Sequence, residues 1–579
     1  MSYGAAAIKT SGVAAQPPGR SWALFIILLL LLVAMAGRAV YLQGIHTDFL
    51  QQEGNARYGR VVDIAAHRGM ISDRYGEPLA ISTPVESVWA SPADVEATPE
   101  QVSQLAQALD MNAADVRSRL FDTSHDFVYL KRQMPPEQAA KAMQLELPGI
   151  SLQREYRRYY PSEEETAQLI GFTNMDDNGQ EGLELGMQDT LGGKAGSQRV
   201  IKDRRGHIVE DVASIRAPKP GNDLALSLDS KMQHLAFREI KQTVEQYHAK
   251  SGAIVVLDAR SGEVLALANW PSYNPNNRDR PAATAMRNRA VTDMYEPGST
   301  MKPFTVASAL EEGKVKPDTV INTENGVLTI GGHKIHDTHP EPHLTVSQVI
   351  QVSSNVGAAK MALSLSPETF WSHLSEAGFG APTGSAFPGE TGGRLRDYRK
   401  WMPIDQATMA YGNGISVSLL QMARAYTIFA NGGELKPVTF FRQDVAPAGH
   451  RVFSENTANE VLHMMEAVVK AGGTAPQAQV NGYRVAGKTG TAHKLENGHY
   501  VDRYVASFIG IAPVSNPRLI VAVMVDEPAG SQYYGGQVAA PAFSDVMGAV
   551  LRLLNVPNDA PLNNAPRTQP PPEAVREET

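Results

Sequence analysis

Cysteine is absent from the 579-residue chain, which excludes a disulfide framework, a thiolate zinc site and a cysteine nucleophile. The same absence suits an oxidising and a reducing compartment equally. An excess of basic residues is missing too. Lys and Arg total 53 against 61 Asp and Glu, a net charge of −8, which gives no reason to expect nucleic acid. Internal repeats are also absent. Long apolar runs are lacking with one exception, at the N-terminus. What remains is a chain too long for one hydrophobic core, so two or three domains are expected.

The exception is "SWALFIILLLLLVAMAGRAVYLQ", apolar from Trp22 to Leu42 apart from Arg38. A helix of that length is about 30 Å long, enough to cross a bilayer. Lys9 and Arg20 precede it without an acidic residue, which keeps residues 1–21 in the cytoplasm and exports the chain after an anchor at 22–42. A cleaved signal peptide is the alternative, with Leu24 to Val33 as its core and Ala34-Met35-Ala36 as its cleavage site. Apolar character resumes after Gly37, which favours the anchor. Both readings export the body.

From 43 to about 220 the sequence is polar and mixed, with turn signals at Asp73 to Gly76 and Asp176 to Gly179. Short strands and one or two helices are expected there. A Pro-Gly-Asn turn then precedes an alternating strand and an amphipathic helix in "DSKMQHLAFREI", and marks a domain boundary. Next come a hairpin, Ala253 to Leu257 and Glu263 to Ala268, and much later two strands, Val505 to Ala512 and Leu519 to Val525. Strands at both ends of a helical middle predict an α+β domain over 221–556 with a largely antiparallel sheet. Residues 557–579 have too few apolar residues to fold and read as a disordered tail.

Three short motifs carry the chemistry. In "YEPGSTMKPF", Pro297-Gly298 breaks the chain before a helix with Ser299 at its cap or first turn and Lys302 on the same face. A desolvated lysine can act as base toward such a serine. The pair alone is weak, because a capping serine followed by a surface lysine is common. Ser353-Ser354-Asn355 and Lys488-Thr489-Gly490 follow, which completes an SxxK, SxN and KTG series in order. Ser353 and Asn355 supply a hydroxyl and an amide to relay a proton and hold a substrate amide, while Ser354 reads as packing. Lys488 adds a second cation, suited to a substrate carboxylate together with the Thr489 and Thr491 hydroxyls. Gly490 leaves room for a substrate lying along a strand edge. A competing pattern, "GYRVAGKT" with "LIVAVMVDE" further on, matches a phosphate-binding loop and its partner strand, but its flanks make a poor strand and a poor helix start.

The three motifs are the signature of penicillin-binding proteins and serine β-lactamases. Further segments, "RGMISDRYGEPLA", "RRYYP", "GLE" with "LGGKAG", "NRAVTDMYEPGS", "FPGE" and "DEPAG", make the chain resemble class B penicillin-binding proteins. Among these it is most similar to the division-specific, septal D,D-transpeptidase type, penicillin-binding protein 3. The resemblance implies an α+β transpeptidase domain with helices on both sides of an antiparallel sheet, and an elongated, β-rich pedestal over 43–220. It implies an acyl-enzyme on Ser299 formed from D-alanyl-D-alanine stem pentapeptides and resolved by a diaminopimelate amine. The backbone N–H groups of Ser299 and Thr491 would form the oxyanion hole. It further implies covalent inhibition by β-lactams, no metal or organic cofactor, and placement in the inner membrane with the catalytic domain in the periplasm. Expected partners are a membrane-embedded septal glycan polymerase and other divisome proteins. An elongation-specific enzyme, a catalytically silent divisome scaffold and a P-loop NTPase are the alternatives.

The chain departs from the closest pattern at three places. Tyr411-Gly412-Asn413-Gly414 replaces Tyr-Gly-Tyr-Gly, His493 stands where arginine is usual, and Gln168 precedes "LIG" in place of histidine. Tyr411 and the loop residues Tyr533 and Tyr534 are expected at the substrate cleft, the latter two as an aromatic wall. Arg68, Asp73, Arg158 and Glu184 are expected to form structural ion pairs.

Overall fold

The computed structural model describes residues 18–45, 59–202, 208–277, 282–496 and 498–562. The expected cytoplasmic residues 1–17 and tail residues 563–579 lie outside them. Pro18–Val40 forms a 23-residue helix. Among the described residues it contributes the only span, Trp22–Gly44, long and apolar enough to cross a membrane by length and composition.

The chain divides into two compact units that interleave along the sequence. The smaller draws on Met1–Ala65, Val85–Glu155 and Ala195–Pro218. It contains a three-stranded antiparallel sheet of Gly59–Ile64, Gly196–Lys202 and Ile208–Arg216. Its apolar core gathers Val102, Leu105, Val116, Leu120, Leu130 and Ile150. This region is more helical than one or two helices, with Pro99–Leu109, Ala113–Leu120 and Pro136–Met143. The first opens on a capping box in which Thr98 and Gln101 bond each other's backbone, with Pro99 at the first helical position.

The larger unit takes Ala66–Pro84, Tyr156–Lys194 and Lys219–Thr579. Helix α1, Ser230–Gln246, is capped by Asp229 and turns Met232, Ala236, Phe237, Ile240 and Val244 inward, a stripe at helical spacing. Strands β1, Ser251–Asp258, and β2, Val264–Trp270, form the expected hairpin. Three strands complete the sheet: β3, Ala486–Glu496; β4, His499–Ala512; and β5, Leu519–Asp526. Their order is β2-β1-β5-β4-β3, and every pairing is antiparallel. Every residue of β1 is buried, which requires cover on both faces. α1 and the C-terminal helix Gly535–Leu553 pack against the sheet, as does Leu419–Ala425. β3 is an edge strand, and β4 begins at His499 rather than Val505 because its first residues pair with the far end of β3.

The expected ion pairs form only in part. Glu184, fully buried, is gripped by Arg68 Nε and Arg158 Nε, each at 2.6 Å. Arg68 also donates to the carbonyl oxygens of Asp177 and Glu184 and to Gln188 Oε1, and Arg158 donates to Ser82 Oγ. Asp73 is not in this cluster. Its carboxylate instead accepts the N–H groups of Tyr75 and Glu77 and the Ser230 hydroxyl, because an aspartate opening a tight turn bonds its own backbone first. Gln168 is also structural, donating to the carbonyls of Pro271 and Ala285. Removing one member of a buried charge cluster leaves the others uncompensated. Glu184→Ala is therefore expected to cost about 3–5 kcal/mol in denaturant unfolding, and a loss below 1 kcal/mol would show that the arginines find other partners.

Candidate active site

Ser299 sits where the chain is forced into a sharp turn. Tyr295 is tied into a bridge with Val417, and Gly298 takes φ +55°. Residues Gly298–Met301 then form a 3₁₀ turn that runs into helix α2, Lys302–Glu311, so the first turn is tighter than the expected α-helix. Three residues per turn bring positions i and i+3 into line. Lys302 Nζ accordingly lies 2.9 Å from Ser299 Oγ.

Two distant segments close around that amine. Ser353 adopts a left-handed backbone, φ +63°, which costs a non-glycine residue about 1–3 kcal/mol. The next residues hold it there. Ser354 caps helix α3, Asn355–Leu363, by accepting the Gly357 N–H. Asp337, on the segment after hairpin Val327–Ile330 and His333–His336, accepts from Ser354 Oγ at 2.6 Å and from the Val356 N–H at 2.9 Å. Asn355 Nδ2 donates to the His336 carbonyl. Lys302 Nζ thereby reaches Asn355 Oδ1 at 2.8 Å and Ser353 Oγ at 3.0 Å.

Lys488 enters from β3. Its Nζ donates to the same Ser353 Oγ at 2.9 Å and to Thr489 Oγ1 at 3.1 Å, and both lysines are fully buried. A hydrogen-bonded path thus runs from Ser299 Oγ through Lys302 Nζ and Ser353 Oγ to Lys488 Nζ. Thr489 Oγ1 shares a further bond with Thr474 at 2.8 Å. Thr491 Oγ1 accepts the Gly535 N–H at 3.0 Å, at the start of the C-terminal helix. Asp337 and Thr474 carry no motif, and sequence reading missed both; only their burial beside the SxN and KTG segments reveals them.

Packing within the protein requires glycine at 490. A Cβ there would lie 2.5 Å from Ser507 Oγ, 2.7 Å from Pro297 O and 3.0 Å from Thr300 Cγ2, so the protein itself fills the space. Gly412 is equally confined, with φ +91° and its missing Cβ 2.1 Å from Gly298 O. The turn carrying Ser299 is thus clasped between β3 and the 411–414 loop.

The outlying residues form a rim. Tyr411 packs half-buried against the cluster of Ile335, Val356 and Ala359. Tyr533 stacks on Tyr504 with centroids 4.1 Å apart and on Tyr534 at 4.5 Å, so neither is a simple exposed loop side chain. The His493 ring lies 4.6 Å from that of Tyr504. The loop begins at Glu527, whose carboxylate bonds Lys250 at 2.8 Å and Lys494 at 2.6 Å. Burial alone would raise its carboxyl, but the hydrogen bonds and charges of the two lysines hold it down at about 2. The phosphate-loop reading fails here. Gly487-Lys488-Thr489 lies inside antiparallel strand β3, and the next described element is strand β4, whereas that loop needs a strand before and a helix after.

Residues 252–548 match the penicillin binding protein transpeptidase domain, and residues 63–226 the penicillin-binding protein dimerisation domain. The chain belongs to the penicillin-binding protein transpeptidase family. It is 44% identical over 552 residues, 94% of this chain and 95% of the other, to a probable peptidoglycan D,D-transpeptidase PenA of Neisseria meningitidis. It is 42% identical over 540 residues, 92% of this chain and 91% of the other, to the peptidoglycan D,D-transpeptidase FtsI of Escherichia coli. Among solved structures, the apo TP domain of Burkholderia pseudomallei penicillin-binding protein 3 is similar at TM-score 0.54 and 48% identity, covering 58% of this chain and 98% of that one.

Two outcomes follow for stability. Gly490→Ala forces the β3 edge against the nucleophile turn and is expected to cost about 1–3 kcal/mol in denaturant unfolding; an unchanged midpoint would mean that the turn yields. The depressed carboxyl of Glu527 contributes stability that is present above the ordinary glutamate range and is lost as pH falls toward 2. The thermal midpoints of wild type and Glu527→Gln should therefore differ near neutral pH and converge in acid, and a gap constant with pH would deny the carboxylate that role.

Proposed function

We propose that the chain is a serine D,D-transpeptidase that cross-links peptidoglycan stem peptides at the septum. The observation that carries this reading is the contact of Lys302 Nζ with Ser299 Oγ, inside a network that Ser353 extends to Lys488. Lys302 takes the Ser299 proton as Oγ attacks the carbonyl carbon of the penultimate D-alanine. The backbone N–H groups of Ser299 and Thr491 receive the developing oxyanion. As the C–N bond breaks, Ser353 passes the proton from Lys302 to the leaving D-alanine amine. Asn355 holds the substrate amide, and Lys488 with Thr489 and Thr491 holds the terminal carboxylate. A diaminopimelate side-chain amine of a second stem then attacks the ester, which forms the cross-link and restores Ser299.

A β-lactam enters by the same attack, and its opened ring keeps the leaving amine tethered in the site. Tyr411, Tyr533 and Tyr534 border the groove beside the bound peptide. Along the sequence the transpeptidase domain runs over 221–556 and the pedestal over 43–220, but residues 66–84 and 156–194 of the pedestal stretch pack within the larger compact unit. The helix at 22–42 anchors the chain in the inner membrane, with the N-terminus cytoplasmic and the catalytic domain periplasmic. A membrane-embedded septal glycan polymerase and other divisome proteins are its partners. Fluorescent penicillin tests the chemistry. Ser299→Ala should abolish covalent labelling and Lys302→Ala should slow it by about 10²–10⁴-fold, whereas an unlabelled wild-type protein overturns the assignment. Depletion should give filamentous cells, and rounded cells would move the role from division to elongation.

A further inference from the structure

The two proposed oxyanion donors come from different segments, the nucleophile turn and edge strand β3, so their separation depends on what fixes one against the other. Close packing does so at Gly490 and Gly298, where a Cβ would meet Pro297 O at 2.7 Å and Thr491 O at 3.1 Å respectively. Ala492 extends that packing, its Cβ 3.6 Å from the same Gly298 position. The register of β3 against β4 slips between His493 and Lys494, a bulge that lets the hairpin change direction.

A carboxylate meets the hairpin there. Glu296, three residues before Ser299, accepts the Tyr500 hydroxyl at 3.0 Å through Oε2 and the Gly414 N–H at 2.8 Å through Oε1. Tyr500 pairs with Leu495 across the hairpin, and Gly414 closes the loop whose Gly412 abuts Gly298. One side chain therefore ties together the nucleophile turn, the 411–414 loop and the edge hairpin. Burial raises the Glu296 carboxyl, opposed by its bonds to Gly414 and Tyr500. Burial and then the Glu296 charge push the Tyr500 hydroxyl up to about 12, so Tyr500 stays a donor at physiological pH. Arg396 also acts on Tyr500, and Asn413 bonds it.

We propose that Glu296 is a positioning residue, a latch that uses Tyr500 to hold the β3–β4 hairpin against the nucleophile turn and so sets the width of the peptide groove. This rests on the transpeptidase reading. With the latch open, strand β3 is held to the nucleophile turn by packing alone, and the Thr491 N–H shifts from the place where the oxyanion forms. A misplacement of about 1 Å costs about 10²-fold in rate.

The test is stopped-flow acylation of the full chain by penicillin, separating binding from the acylation rate constant, with thermal midpoints for each variant. Tyr500→Phe should lower the acylation constant about 10-fold and Glu296→Ala about 100-fold, at nearly unchanged midpoints. Glu296→Gln, which keeps an acceptor for Gly414 and a partner for Tyr500, should restore most of the rate. The double variant Glu296→Ala with Tyr500→Phe should be no slower than Glu296→Ala alone, because both lesions break one contact. Wild-type acylation by Tyr500→Phe, or losses that multiply in the double variant, overturns the latch. If Glu296→Ala does not fold, Tyr500→Phe and Glu296→Gln decide between the same outcomes. A wild-type protein that does not acylate would instead sink the transpeptidase reading, so the two failures are distinguishable.

Discussion

One hydroxyl shared by two buried amines governs the architecture. Ser353 Oγ lies 3.0 Å from Lys302 Nζ and 2.9 Å from Lys488 Nζ. Burying an ammonium is costly unless its protons find acceptors, and two amines so close repel whenever both carry charge. The fold answers with oxygens from separate stretches of chain: Ser299 Oγ, Asn355 Oδ1 and the Ser353 carbonyl around Lys302, and Thr489 Oγ1 beside Lys488. The left-handed Ser353, the Asp337 clamp on its neighbours and the placement of KTG on an edge strand all serve this convergence.

The division of labour between rigid and adjustable parts follows. The sheet interior, where every residue of β1 is buried, supplies a fixed floor. Nucleophile turn and SxN turn are each held by hydrogen bonds within their own segment and by contacts from outside it, among them Val417 for the first and Asp337 for the second. The rim is built differently, from stacked rings and exposed ion pairs such as Arg503 with Glu496, which are individually weak.

Legibility in the sequence tracked the physics of each element. Strands β1 and β5 announce themselves as continuous apolar runs, because both faces are covered. Edge strand β3, "AGKTGTAHKLE", has no such run, and its burial comes from neighbours that composition does not reveal. The three motifs were readable because their chemistry restricts residue type at fixed spacing. Asp337 and Glu296 were not, since Asp337 meets Ser354 across 17 residues and Glu296 meets Tyr500 across 204, with no local pattern to mark them. Asp73 looked like an ion-pair partner because charge is visible in a sequence and turn geometry is not. The helices after Thr98 carried a capping box in plain letters, obscured by the polar composition around it.

The clasp of glycines around the nucleophile turn bears on how such a protein can drift. Where Gly298, Gly412 and Gly490 meet opposing backbone, the wall of the cleft is already sterically saturated, and any added atom moves the reactive serine. Variation that alters ligand preference yet spares the reaction is therefore pushed outward, to half-buried rim positions such as 413 and 493, whose side chains contact the hairpin rather than the nucleophile turn. Selection by an inhibitor would be expected to leave its record there, as a ring of substitutions around an invariant throat.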